Sequence, residues 1–238
     1  MAGADTATRT MDAPQMNSHG RWWAPQRATW WIGVLFAIGS TCFLIGPFPG
    51  LVELVGSEID GVVFFVGSLF FTSAAALQYV DGGVFRPRGL DWWSNAVQLA
   101  GTVFFNVSTF DALRRGLDAN EYDRLVWTPD ARGSICFLVS GCLAVVAVRK
   151  ARRTRDWWIA IVNLLGCVAF SISAVAAYVV PSTGDALDLA GANVFTSLGA
   201  LCFLIGSLLL LPGSPASDDA ERRFTLDAGH TPSTKETS

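Results

Sequence analysis

The 238-residue chain holds two histidines, His19 and His230, and neither lies in an apolar stretch. Histidine-ligated haem, histidine-bound zinc and Ser-His or Cys-His nucleophilic catalysis all require an imidazole inside the fold. The sequence excludes those chemistries from its apolar part. The five cysteines, Cys42, Cys136, Cys142, Cys167 and Cys202, all fall in apolar runs, and none forms a Cys-x-x-Cys pair. Buried Cys behaves as a small hydrophobe; Cys136, near the end of its run, is the one candidate redox thiol. No carboxylate lies within the runs. That leaves no acid–base pair and no ionisable relay across a bilayer. The expectation is a non-enzymatic chain with no catalytic residue, no metal site and no cofactor.

Neutral polar side chains remain. Asn95, Gln98, Thr102, Asn106 and Thr109 recur at steps of three and four and therefore share one helical face. A shift of 65 residues lays Gln98, Thr102 and Asn106 over Asn163, Cys167 and Ser171. Two such stripes can close on each other through interhelical hydrogen bonds, worth about 0.6–2 kcal/mol per pair. Alternatively they can line a cavity for a small neutral solute. The candidate cavity residues are Asn95, Gln98, Thr102, Asn106, Asn163 and Ser171, with interhelical packing as the leading reading.

The elements that carry these residues are set by composition. Half the chain, 51%, is hydrophobic and only 16% is charged, against roughly a quarter charged in soluble proteins. The apolar residues are gathered into long, charge-free runs, which excludes a water-soluble globule. A membrane helix needs about 20 mostly apolar residues. Six candidate spans run from Ala28 to Phe48, Gly61 to Val80, Trp93 to Phe110, Gly133 to Val148, Trp157 to Val180 and Leu189 to Leu211. With the N-terminus inside, thirteen of the seventeen Lys and Arg residues fall in inner segments. The positive-inside rule then places both termini in the cytoplasm of a multi-pass cell-membrane protein. The polar stretches 1–27 and 212–238 are expected to be disordered cytoplasmic tails flanking a bundle over 28–211. The first span lacks a small-residue cleavage site and is not expected to be a signal peptide.

The odd spans repeat. Trp30-Trp31, Trp92-Trp93 and Trp157-Trp158 are each followed by a glycine (Gly39, Gly101, Gly166) and, four residues later, a phenylalanine (Phe43, Phe105, Phe170). The even spans follow with Gly67, Gly141 and Gly199, each two residues before a leucine. The expected fold is all-α: six transmembrane helices as three parallel two-helix repeats over about 28–80, 91–149 and 156–211. Tryptophan pairs anchor the odd helices at the headgroups. Gly beside Phe lets two helices approach while the rings close the contact.

The first hairpin, Phe36-Ala-Ile-Gly39-Ser40-Thr-Cys-Phe43, an acidic loop, then Phe64-Phe-Val-Gly67-Ser68-Leu-Phe-Phe71, resembles the YrhK-like two-helix membrane domain of bacterial proteins over residues 30–80. The later hairpins depart from it at Gly101-Thr102 and Gly166-Cys167. The resemblance implies a bacterial membrane protein and no activity, ligand or site residue.

Two polar segments complete the reading. The outer loop 111–132 is expected to be a solvated face, with a lid or docking site around Tyr122, Trp127 and Asp130 as the alternative. The inner run Arg149, Lys150, Arg152, Arg153 and Arg155 is expected to meet anionic lipid headgroups. The net charge of −3 argues against nucleic acid. No residue pattern names a protein partner or a homo-oligomer. The functional expectation is a structural or interaction role in the membrane, with a channel or facilitator for a small neutral solute as the alternative.

Overall fold

The computed structural model describes residues 23–83 and 89–211. The tails expected over 1–27 and 212–238 lie outside the described residues, except for 23–27. Among the described residues the chain is helical, and its β pairing is a single bridge between Val179 and Ala186. The elements are α1 (Ala28–Ile45), α2 (Pro49–Val55), α3 (Ser57–Asp81), α4 (Leu90–Asp111), α5 (Ala119–Tyr122), a π turn (Asp123–Trp127), α6 (Thr128–Ala147), α7 (Arg155–Ala176) and α8 (Leu189–Leu210). Five helical stretches are long and apolar enough to cross a membrane: α1, α3, α7, α8 and the continuous run Ala119–Ala147 ending in α6. Helix α4 is as long, at 22 residues, but carries Asn95, Gln98, Thr102, Asn106 and Thr109.

Several boundaries differ from the sequence expectation, and three of the differences have a clear local reason. The first run stops at Ile45, where Gly46 N donates to Cys42 O at 3.0 Å and Pro47 brings no N–H; the chain then starts the short α2. The fifth run stops at Ala176, not Val180. Pro181 disfavours α geometry at Val180, and Val180 N and Leu187 N bond instead to Asp185 O (2.8 Å) and Tyr178 O (2.7 Å). The loop expected over 111–132 is partly helical. Asp118 caps α5 by accepting from Glu121 N (2.8 Å), while Glu121 Oε2 accepts from Asp118 N (3.2 Å).

The six long helices form a ring. Each packs on two neighbours in the order α1, α3, α4, α6, α7, α8, and α8 returns to α1. Glycines set the close contacts. A Cβ built on Gly67 would lie 2.7 Å from Cys42 Cβ, one on Gly101 2.9 Å from the Phe137 ring, and one on Gly166 3.1 Å from Gly199 O. On α6 the glycine facing α4 is Gly133, whose Cβ would meet the Phe105 ring at 2.5 Å. Gly141, which the sequence aligned with Gly67 and Gly199, faces Leu164 and Cys167 of α7 instead. The informative marker is a phenylalanine four residues on, as in Gly67–Phe71, Gly133–Phe137 and Gly199–Phe203. Leucine is too common in these helices to set the register.

Those rings fill the axis. Phe43, Phe105 and Phe170, from α1, α4 and α7, sit 5.7–6.3 Å apart by ring centroids. Phe71, Phe137 and Phe203, from α3, α6 and α8, form an adjacent layer, with Phe203 at 5.7 Å from Phe71 and 6.2 Å from Phe137. Around them the interior is small and polar: Ser40, Ser68 and Thr102 are almost wholly enclosed, whereas Val175, Val194 and Leu165 on the outer surface are each more than half exposed. Large aliphatic side chains outside and hydroxyls inside are the reverse of a water-soluble bundle and suit a hydrocarbon surround. The bundle is consistent with a membrane protein.

Candidate functional site

The bundle is not solid along its whole length. At the end where the Trp pairs begin α1, α4 and α7, a cavity of about 300 Å³ enters between the helices. That is at the lower end of the roughly 300–1,000 Å³ typical of small-molecule sites. Its floor is aromatic: Phe36, Phe71, Phe137 and Phe203. Beyond the floor lies a void of about 10 Å³, bordered by the six axial phenylalanines with Ser68 and Thr102. The cavity is therefore blind, closed near mid-bundle by the two ring layers.

Its walls are unequal. Three residues before the odd-helix glycines stand Phe36, Gln98 and Asn163, and all three line the cavity. The first hairpin thus presents an aromatic face where the second and third present amides. Gln78 of α3 donates from Nε2 to Asn95 Oδ1 at 2.9 Å, and both line the cavity. Ser94 and Ser140 clasp α4 to α6: each hydroxyl donates to the other's carbonyl, at 3.0 and 2.9 Å. Gln98 and Asn163 have no hydrogen-bond partner among the described residues. Asn163 occupies space that a side chain at position 206 would need, since a Cβ on Gly206 would collide with its amide. Cys167, buried, lies deep in the same cavity.

Of the residues expected to form a polar cavity, Asn95, Gln98 and Asn163 line this one and the other three do not. Thr102 donates to Leu99 O at 2.8 Å and borders only the small axial void. Ser171 donates to Cys167 O at 2.9 Å. Asn106 lies beyond the floor, its Oδ1 buried and without a partner among the described residues. The two stripes do not pair, because α6 stands between α4 and α7 in the ring. The sequence reading missed Asp91 and Asp156, which also line the cavity. The signal was present, since each carboxylate immediately precedes a Trp pair.

Elsewhere the candidate residues serve the fold. At the opposite end Trp127 Nε1 donates to Ala174 O at 2.7 Å, and its ring meets Tyr178 edge-on at 4.9 Å. Asp123 Oδ1 accepts from Val179 N at 3.2 Å. Arg114 pairs with Asp111 at 2.8 Å, and Arg115 pairs with Glu58. In the basic run 149–155, the Arg155 side chain turns toward the end of α8. Its guanidinium donates to the carbonyls of Leu209 and, at 2.7 Å, Leu211, which closes the free end of α8. Arg149, Lys150, Arg152 and Arg153 remain exposed. Among the described residues no group of His, Cys, Asp and Glu is arranged to hold a metal. Comparison with models of known families, with curated proteins and with solved structures finds no match to the chain.

Proposed function

We propose that the chain is a six-span membrane protein of three parallel two-helix repeats, with both termini cytoplasmic, that binds a small polar solute from the cytoplasmic side and acts as its facilitator. The observation that carries this reading is the pair of amides, Gln98 and Asn163, lining the blind cavity without protein partners. Both amides are half-buried and open on the cavity, so their hydrogen-bond partners must come from within it. Water or a solute that enters the cavity satisfies both groups, which a purely structural bundle has no need to provide. The solute facilitator is therefore preferred to the structural role. The six-Phe closure is the gated state of the path, and the YrhK-like resemblance of the first hairpin contributes no activity of its own. Helix α4 spans the membrane with its polar stripe turned from lipid, and Arg149, Lys150, Arg152 and Arg153 meet anionic headgroups at the inner surface.

Accessibility of Cys167 tests the reading. In intact membranes, a variant whose other four cysteines are alanine reacts with a small neutral polar maleimide, and Gln98→Leu with Asn163→Leu slows that reaction. Ala144→Cys, in the same cavity, serves if position 167 proves too deep. If neither position reacts, the cavity is closed and the solute reading fails.

A further inference from the structure

The cavity's charge narrows the solute. Among the described residues, two charged side chains line it, and both are carboxylates, Asp91 and Asp156. Each stands in the first turn of its helix, exposed at the mouth, and neither forms an ion pair among the described residues. No described Lys or Arg lines the cavity; Arg155, next in sequence to Asp156 and within electrostatic reach of it, gives its hydrogen bonds to the α8 carbonyls. A first-turn carboxylate also complements the helix dipole, but that does not explain the pattern. Position 29, which precedes the first Trp pair as 91 and 156 precede the others, is Thr29. The acids occur on the two odd helices that carry the cavity amides. On each helix the acid and the amide are seven residues apart, two turns along one face, or about 10 Å.

Resting on the solute-binding reading above, we propose that this cavity selects an organic ammonium compound. The cation is drawn to the mouth by Asp91 and Asp156. Its N–H or polarised C–H groups are received by the amide oxygens of Gln98 and Asn163, and its apolar part lies on the phenylalanine floor. Each component suits an ammonium. Carboxylates of one sign in a cleft concentrate cations, amide oxygens accept without titrating, and aromatic faces attract cations. The same walls disfavour an anion, for which no described lining residue supplies positive charge. The sequence pointed to a neutral solute because the acids lie just outside the apolar runs and only the amides lie within.

Charged thiol reagents read this directly. The single-cysteine protein retaining Cys167, and a second retaining only Ala144→Cys, are treated with a trimethylammonium-ethyl methanethiosulfonate and with its sulfonate-ethyl counterpart. The same thiolate attacks both reagents and displaces methanesulfinate from each, so the ratio of their rates reports the potential in the cavity independently of thiol reactivity. At low ionic strength the cationic reagent gains at least tenfold over the anionic one, relative to their ratio on a free thiol. Asp91→Asn with Asp156→Asn abolishes the gain, and so does molar salt. Gln98→Leu slows both reagents and leaves the ratio intact. If the neutral maleimide reacts but the rate ratio is that of a free thiol, or favours the anion, the ammonium inference is wrong and the solute reading stands. If no reagent reacts at either position, both fall together.

Discussion

At Gly133 a phenylalanine ring stands on one side and a backbone carbonyl on the other. An alanine Cβ there would sit 2.5 Å from Phe105 Cδ2, 2.8 Å from Cε2 and 3.1 Å from Gly101 O. The first distance is nearly an ångström inside ordinary van der Waals contact. Phe105 cannot swing away freely: it stacks on Phe137 at 5.0 Å and meets Phe170 at 5.7 Å and Phe43 at 6.3 Å. Overpacking of this kind costs about 1–3 kcal/mol. Gly→Ala also gains about 1 kcal/mol of helix propensity, so the single variant is an ambiguous reporter. A double-mutant cycle with Phe105→Leu removes the ambiguity, because propensity cancels and only the clash remains. Gly133→Ala and Phe105→Leu should be non-additive by about 1–3 kcal/mol, the double variant being more stable than the sum of the singles. The measurement is reversible unfolding in mixed micelles, followed by tryptophan fluorescence. Additivity within about 0.5 kcal/mol would show that the ring has somewhere to go, and the close-packed account of the Gly–Phe register would be refuted.

Other outcomes follow from single contacts. A topology reporter fused after Leu211 should read as cytoplasmic, and one inserted at Asn120 as external; an external reading after Leu211 overturns the proposed orientation. Asp118→Ala should remove the bond from Glu121 N to the Asp118 carboxylate and leave the one from Asp118 N to Glu121 Oε2, at a cost of about 0.5–2 kcal/mol, seen as faster amide exchange confined to residues 119–127. Arg155→Ala leaves the carbonyls of Leu209 and Leu211 without their donor. Because the side chain is only part-buried, the loss should stay near about 1 kcal/mol, with earlier proteolysis at the end of α8 as the readout. Trp127→Phe keeps the ring against Tyr178 but loses the bond to Ala174 O, and should cost about 0.5–1.5 kcal/mol by thermal melting.

The helices were legible because hydrocarbon enforces them: a charge-free run long enough to cross must satisfy its backbone within itself. Their ends were less so. Pro47 and Pro181 stop helices inside apolar stretches, where hydropathy alone sees no boundary. The odd-helix Gly–Phe step was visible because tryptophan pairs fix its register. In α6 there is no such pair to count from, so Gly141 was chosen where Gly133 makes the contact. For the site, periodicity found the face bearing Asn95 and Gln98, since side chains three and four apart share a face whatever they meet. It could not separate Thr102, which returns its hydroxyl to its own helix, from Gln98, which opens on a void. That distinction depends on the depth of the aromatic floor, which is set by rings from other helices. Asp91 and Asp156 lie just outside the apolar runs, where hydropathy marks no charge as membrane-embedded.

The packing of α8 back onto α1 brings the last helix against the first: a Cβ on Gly33 would touch Leu211 at 2.9 Å. A closed ring has no first and no last member. What fixes each helix is the pair of flanks it finds, not its place in the order of translation. A chain opened in the exposed turn 149–154 and rejoined from position 211 to position 28 by a flexible linker keeps every interhelical contact of the ring. The covalent order of the hairpins is thus one of several ways of threading the same annulus. The converse holds for deletion: removing one hairpin exposes two seams at once, and the remaining four helices are left as an arc with no partner for either edge.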